Sequence, residues 1–140
     1  DKINSENDSN YLDMRSPCGA VIGQLAYNYD GNIYSCDEGR MVGEDIFLLG
    51  SVRKGTYDVV VAGEKSCSII NSSLNDQYFC DDCVFKPFCG VCPVCNYVEQ
   101  GSIIGKIPQT ARCKVFKEQF RWVIKERFLN KNTYERDNKD

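Results

Sequence analysis

The apolar residues in the first half of the chain are grouped in short runs separated by turn-forming residues. Residues 21–27 are rich in β-branched and aromatic side chains, residues 28–31 (Asn-Tyr-Asp-Gly) are turn formers, and the apolar run resumes at Ile33. This pattern predicts a β-hairpin that ends just before Cys36. Residues 46–52 have the same character and predict a further short strand.

Two helices are predicted from capping residues and apolar spacing. Thr56 is a suitable N-cap for a helix from Tyr57 to about Cys67, and Thr110 is one for a helix from Ala111 to about Leu129. The second helix is amphipathic, because its apolar residues recur at spacings of three and four. These residues are Val115, Phe116, Phe120, Val123, Ile124 and Phe128.

No helical or strand period is recognisable in the segment 71–107, which is dominated by turn formers and cysteines. A structureless stretch of that length is unusual inside a compact domain, so a bound metal cluster is expected to order it. The sequence therefore predicts one small α+β domain over residues 13–129. It would comprise an N-terminal β-hairpin, a cysteine-rich cluster-binding loop region and a C-terminal amphipathic helix, with a polar linker or cut end over 1–12 and a polar tail over 130–140.

Composition narrows the classes of function. The chain of 140 residues is 42% hydrophobic with a net charge of -3, and its basic residues are scattered, so nucleic acid is not expected as a partner. No apolar run is long enough to span a membrane and no secretory signal pattern begins the chain, so we expect a cytoplasmic location and no membrane partner. Histidine is absent, which excludes mixed Cys/His zinc sites and leaves the chemistry to cysteine.

Five of the nine cysteines lie in one stretch, CDDCVFKPFCGVCPVC, which begins at Cys80. Two cysteines separated by two residues can direct both sulfurs at one metal centre, and this stretch contains three such pairs. An odd number of cysteines and their crowding argue against a disulfide framework, while a structural zinc site stays an alternative. Two four-iron clusters fit best, because they need about eight thiolates. The full set is Cys18, Cys36, Cys67, Cys80, Cys83, Cys89, Cys92, Cys95 and Cys113.

The cysteine spacing resembles a known family. The pattern resembles the seven-cysteine signature of the SPASM domain of radical SAM peptide maturases. It consists of Cys18, Gly31 and Cys36, then the run of cysteines from Cys80 to the Cys92-Pro93 pair, and finally Cys113. The segment CGAVIGQLAYNYDGNIYSCDEGRM, which begins at Cys18, is similar in sequence to maturases of the His-Xaa-Ser system. One interval departs from the family pattern, since two residues separate Cys89 from Cys92 where the family usually has three. The resemblance implies a SPASM/twitch-like fold.

The resemblance also implies two sets of ligands for two [4Fe-4S] clusters. The first set is Cys18, Cys36 and Cys92, and the second is Cys80, Cys83, Cys89 and Cys113. Gln24 stands where a fourth ligand of the first cluster would be sought, so that ligand is Cys67, Cys95 or an open iron, and Cys67 is favoured. An alternative partition groups Cys89, Cys92 and Cys95 as in bacterial ferredoxins. Independently, the expected position of Cys113 in the first turn of a helix favours a thiolate there.

The resemblance implies an accessory function rather than a complete enzyme. No cysteine pair is spaced by three residues, so the Cys-x3-Cys-x2-Cys run that binds the S-adenosylmethionine-cleaving cluster is absent from this sequence. The chain would be the auxiliary cluster domain of a radical SAM enzyme that modifies a ribosomal peptide, serving electron transfer and substrate positioning. Its partners would be a radical SAM core, upstream on the same chain or on a separate subunit, and the peptide. The alternatives are a stand-alone ferredoxin-like electron carrier and a zinc-stabilised interaction module.

Overall fold

The structure, a computed structural model, describes residues 17–74 and 79–130, with side chains described as far as Phe128. Within these residues the chain forms a three-stranded antiparallel sheet and five α-helices, which confirms a small α+β fold. The predicted linker over 1–12 and nearly all of the predicted tail lie outside the described residues. The elements are β1 (Ala26–Tyr27), β2 (Asn32–Tyr34), α1 (Asp37–Val42), β3 (Leu48–Ser51), α2 (Tyr57–Val61), α3 (Glu64–Ser72), α4 (Pro93–Gln100) and α5 (Ala111–Lys125).

The predicted hairpin is present, but its first strand is shorter than expected. Ala26 pairs with Tyr34 across the hairpin, and the turn is closed where the Gly31 N–H donates to the Asn28 carbonyl. Residues 21–23 form a turn instead of a strand, in which the N–H groups of residues 23 and 24 both donate to the Gly19 carbonyl. Buried Val21 adopts a φ of 70° there, a conformation that β-branched residues rarely take. The turn thus reverses the chain directly after Cys18.

β3 completes the sheet in the order β1-β2-β3. The strand predicted over 46–52 is confirmed at its centre, while its first residues belong to a 3₁₀ turn over Asp45–Phe47. That turn directs Phe47 into the core, where its side chain is 0% exposed and meets the Tyr97 ring edge-on at 5.4 Å between centroids. Phe47 and Tyr97 thereby join the sheet to α4.

The single helix predicted after Thr56 is wrong in extent, because the chain forms two helices there. α2 ends at Val61 and α3 begins after Gly63. Three consecutive valines followed by alanine and glycine are a weak helix sequence, since β-branched residues and glycine both disfavour the helical state. The break is stabilised by the buried Ser66 hydroxyl, which donates to the Val60 carbonyl at 2.5 Å.

The prediction of a segment without helix between residues 71 and 107 is also wrong, because α4 lies within it. Pro93 at the first turn has the φ that a helix needs and no N–H to leave unsatisfied, and Cys92 before it is the N-cap. Gly101 ends the helix with a φ of 72°, and its N–H donates to the Tyr97 carbonyl. These helix start and stop signals lie among cysteines and turn formers, so the sequence pattern alone did not indicate a helix there.

α5 begins where the sequence predicts, with the Thr110 hydroxyl accepting from the Cys113 N–H at 3.1 Å. It continues into a π-helical turn over Glu126–Asn130. Its apolar face packs on the cysteine-rich segment through Phe120, whose ring lies 5.5 Å from Phe85 and 6.3 Å from Phe88. This aromatic contact holds the segment carrying Cys80, Cys83 and Cys89 against the helix that carries Cys113.

Candidate metal centres

Four cysteines line one cavity between the hairpin, α1 and the start of α4. They are Cys18, Cys36, Cys92 and Cys95. The space between the atoms that border it is about 470 Å³, including the part open to solvent. We call it the first cysteine cavity. Gln24, Glu38 and Arg112 also border it.

Helix starts position two of these sulfurs. Cys36 is the N-cap of α1, and its Sγ accepts from the Gly39 N–H at 3.3 Å. Cys92 is the N-cap of α4, and its Sγ accepts from the Cys95 N–H at 3.5 Å. The first N–H groups of a helix have no partner within the helix, so a sulfur that accepts from them is stabilised as a thiolate. Two elements distant in sequence therefore present thiolate-stabilising ends to one cavity.

A second set of four cysteines lines another cavity, between the cysteine-rich segment and α5. They are Cys80, Cys83, Cys89 and Cys113. This second cysteine cavity holds about 430 Å³, again including space open to solvent. Phe79, Phe85 and Phe116 border it, so its walls are largely apolar.

Successive turns place the sulfurs of the second cavity. The Cys83 N–H donates to the Cys80 carbonyl at 3.1 Å, and the Cys89 N–H donates to the Phe85 carbonyl at 3.0 Å. Cys113 occupies the first turn of α5, as the sequence predicts, with its N–H bound by Thr110. Three sulfurs from one folded segment and one from a helix N-terminus thus border a single space.

The electrostatic environment keeps several of these thiols protonated in the absence of a cation. Burial raises the pKa of Cys36 to about 11. Burial also raises the pKa of Cys89 to about 11, with a further contribution from nearby Cys113 and Cys80. The pKa of Cys80 is raised first by burial and then by Cys113 and Cys83. Cys80 and Cys89 thus lie close enough to the other cysteines of the set for a neighbouring thiolate to disfavour their ionisation.

Cys92 and Cys95 behave as a pair. The pKa of Cys95 is lowered, first because the Cys92 thiol donates a hydrogen bond to it and also because Arg112 is close. The same hydrogen bond raises the pKa of Cys92. Arg112 contacts Cys95 directly, with 3.5 Å between Nη1 and Sγ. The surroundings therefore favour the thiolate form at Cys95, beside a guanidinium, over the thiolate form at Cys92.

Cys67, which the sequence favours as the fourth ligand of the first cluster, does not lie with Cys18, Cys36 and Cys92. It lies exposed on α3, lines neither cysteine cavity, and its thiol is 3.7 Å from the Ala62 carbonyl. Cys95 lines the first cavity in its place, because α4 turns its first residues toward the hairpin. The sequence favoured Cys67 because Cys95 is so close to Cys92, but α4, a helix that the sequence did not predict, brings Cys95 to the cavity.

The aromatic residues near the cysteines divide between two environments. Tyr97 packs against the core. Phe79 borders the second cavity, but it is 62% exposed and has a φ of 71°. Phe85 and Phe116 lie at the wall and are partly buried. The second cavity is thus screened from water on its α5 side.

The donor chemistry of both cavities fits an iron–sulfur cluster. Soft thiolates are the ligands that such clusters take, four to each. No disulfide joins any of the nine cysteines, all of which lie in the described residues. In that same part of the chain, no three Cys, Asp or Glu side chains converge as closely as a single bound ion requires. The two cavities, rather than single points of convergence, are therefore the candidate metal centres.

None of the helices in residues 17–74 and 79–130 combines the length and apolar character needed to cross a membrane. Comparison of the chain with protein-family models, with curated proteins and with solved structures gave no match.

Proposed function

We propose that this chain binds two [4Fe-4S] clusters, one in each cysteine cavity, and is the auxiliary cluster domain of a radical SAM enzyme that modifies a ribosomal peptide. When bound, such clusters supply one-electron transfer. The chain's own residues hold the clusters, exclude water from them and present a surface for the peptide. Cleavage of S-adenosylmethionine belongs to a radical SAM core upstream or on another subunit.

The observation that carries the proposal is the division of eight cysteines into two groups of four. The resemblance implies the same division for seven of them. Cys18, Cys36 and Cys92 border one cavity, and the other is bordered by the second implied set. The proposal assigns Cys95, rather than Cys67, as the fourth ligand of the first cluster.

The ligand assignment is tested by three single substitutions of matched chemistry. Cys36→Ala removes a ligand of the first cluster and Cys83→Ala one of the second, so each variant should retain about four of about eight iron atoms after anaerobic reconstitution. Cys67→Ala is the control and should retain all of them. Iron, acid-labile sulfide and the visible spectrum are measured on the same samples.

Two outcomes of that experiment would contradict the assignment. An unchanged iron content in both Cys36→Ala and Cys83→Ala would exclude the cavities as cluster sites. Loss of half the iron in Cys67→Ala would restore Cys67 as a ligand and remove Cys95. Four-coordinate zinc without sulfide would instead make the chain a zinc-stabilised interaction module.

The accessory role is tested separately from the clusters. The reading frame upstream of Asp1, or a neighbouring one, should encode the missing Cys-x3-Cys-x2-Cys run, and that core should modify its peptide only when this domain carries both clusters. Mass spectrometry of the peptide gives the readout. A loaded domain with no such core would be a stand-alone electron carrier, which would contradict the maturase assignment.

A further inference from the structure

Arg112 is placed between the two cysteine cavities. It borders the first cavity, and its Nη1 atom donates to Cys95 Sγ at 3.5 Å. It directly precedes Cys113, whose sulfur borders the second cavity. The guanidinium is held over the Phe116 ring at 4.7 Å, and Phe116 is itself part of the second cavity wall.

The two cavities are close because the chain passes from one to the other within a few residues. Cys89 borders the second cavity and Cys92 the first. Three residue steps of an extended chain span at most about 11 Å, which limits the separation of their Cα atoms. A single charge between them therefore acts on both sites, since fields in a partly buried environment are weakly screened.

The contacts of Arg112 differ between the two cavities. In the first, its Nη1 atom donates directly to the Cys95 sulfur. Toward the second, the guanidinium lies over the Phe116 ring, which borders that cavity. The cation should therefore favour negative charge in both cavities, and more strongly in the first.

We propose that Arg112 is a positioning residue that raises the reduction potentials of both clusters, and that of the first cluster more. This inference rests on the proposed function. Reduction adds one electron and one negative charge to a cluster, and a nearby cation and an N–H···S hydrogen bond both stabilise the more negative state. Arginine suits the role because its planar group stacks on Phe116 while it donates to sulfur.

The inference is tested by anaerobic redox titration of the reconstituted chain with dithionite as the electron donor, monitored by electron paramagnetic resonance. Arg112→Met should shift the midpoint of the first cluster to a more negative value and that of the second in the same direction by less. Arg112→Lys, which keeps the charge, should shift the first cluster less than Arg112→Met does. Cys83→Ala, which retains only the first cluster, assigns the signals.

Arg121→Met is the matched control, because it removes a cation from the exposed part of the same helix, where Arg121 pairs with Glu118. It should leave both midpoints unchanged. Equal shifts of the midpoint potentials in Arg112→Met and Arg121→Met, or no shift in either variant, would overturn the role of Arg112. If the wild-type chain still binds two clusters, the proposed function stands. Absence of any cluster from the wild-type chain would overturn both.

Discussion

At the scale of single residues, Gly39 shows how the first cavity constrains the sequence. It lies one helical turn after Cys36, and its N–H donates to the Cys36 sulfur. A Cβ at this position would lie 2.8 Å from Ser35 Oγ and 3.1 Å from Phe47 Cβ. Both neighbours are fully buried, so neither has room to move.

We therefore expect Gly39→Ala to destabilise the fold by about 1–3 kcal/mol through overpacking, and to weaken retention of the first cluster. Anaerobic thermal unfolding and iron analysis measure the two effects. Met41→Ala on the same helix is the control, because Met41 is 79% exposed, and its effect should stay within about 0.5 kcal/mol. A Gly39→Ala variant as stable as Met41→Ala would show that this close approach does not constrain the site.

The residue scale is also where the sequence carried most information about the candidate site. Seven of the eight cysteines that border the cavities belong to the sets that the family resemblance implies. The eighth is Cys95, whereas the sequence favoured Cys67 because Cys95 is so close to Cys92. The choice depends on the direction of α4, which is a tertiary property.

At the scale of elements, the two predicted threonine caps differ in what they do. Thr110 is buried, accepts from the Cys113 N–H, and donates to the Ile107 carbonyl at 2.8 Å. Thr56 occupies the N-cap position of α2, is exposed, and makes no side-chain capping bond. Identical residue types at identical positions thus contribute differently, because only one has its hydroxyl turned to the helix.

Thr110→Ala should cost about 1–2 kcal/mol, since it removes the cap of α5. It should also reduce occupancy of the second cluster, because the first turn of α5 positions Cys113. Thr110→Ser keeps the hydroxyl and should restore both properties, while Thr56→Ala should change stability by less than about 0.5 kcal/mol. Unfolding midpoints and iron content are compared across the three variants, and equal losses from Thr56→Ala and Thr110→Ala would contradict the account.

The elements that the sequence missed share a physical cause. α4 has its own start and stop residues, Pro93 and Gly101, but it contains one cysteine, has another as its N-cap, and follows a turn-rich segment. The helix predicted after Thr56 is too long because the valines and Gly63 interrupt the helical conformation. Periodicity identified α5, whose amphipathic pattern is long, and was weakest for helices of only a few turns.

At the scale of the whole molecule, the two cavities use different means of support. The first lies against the sheet, α3 and α4, where Ile69 and Val94 form part of both the core and the cavity wall. The second lies between α5 and a segment with little regular structure, held mainly by phenylalanine contacts. We therefore expect the local order around the second cavity to depend more on bound metal, because ligand binding and folding are coupled where few other contacts exist.

The chain has no residue pattern for cleaving S-adenosylmethionine, while eight of its cysteines border two cavities. The proposal that these are cluster sites is tested most directly by metal analysis of the wild-type chain, purified and reconstituted without oxygen. It predicts about eight iron and about eight sulfide per chain with no stoichiometric zinc. Zinc without sulfide, or iron that never exceeds about four per chain, would contradict it.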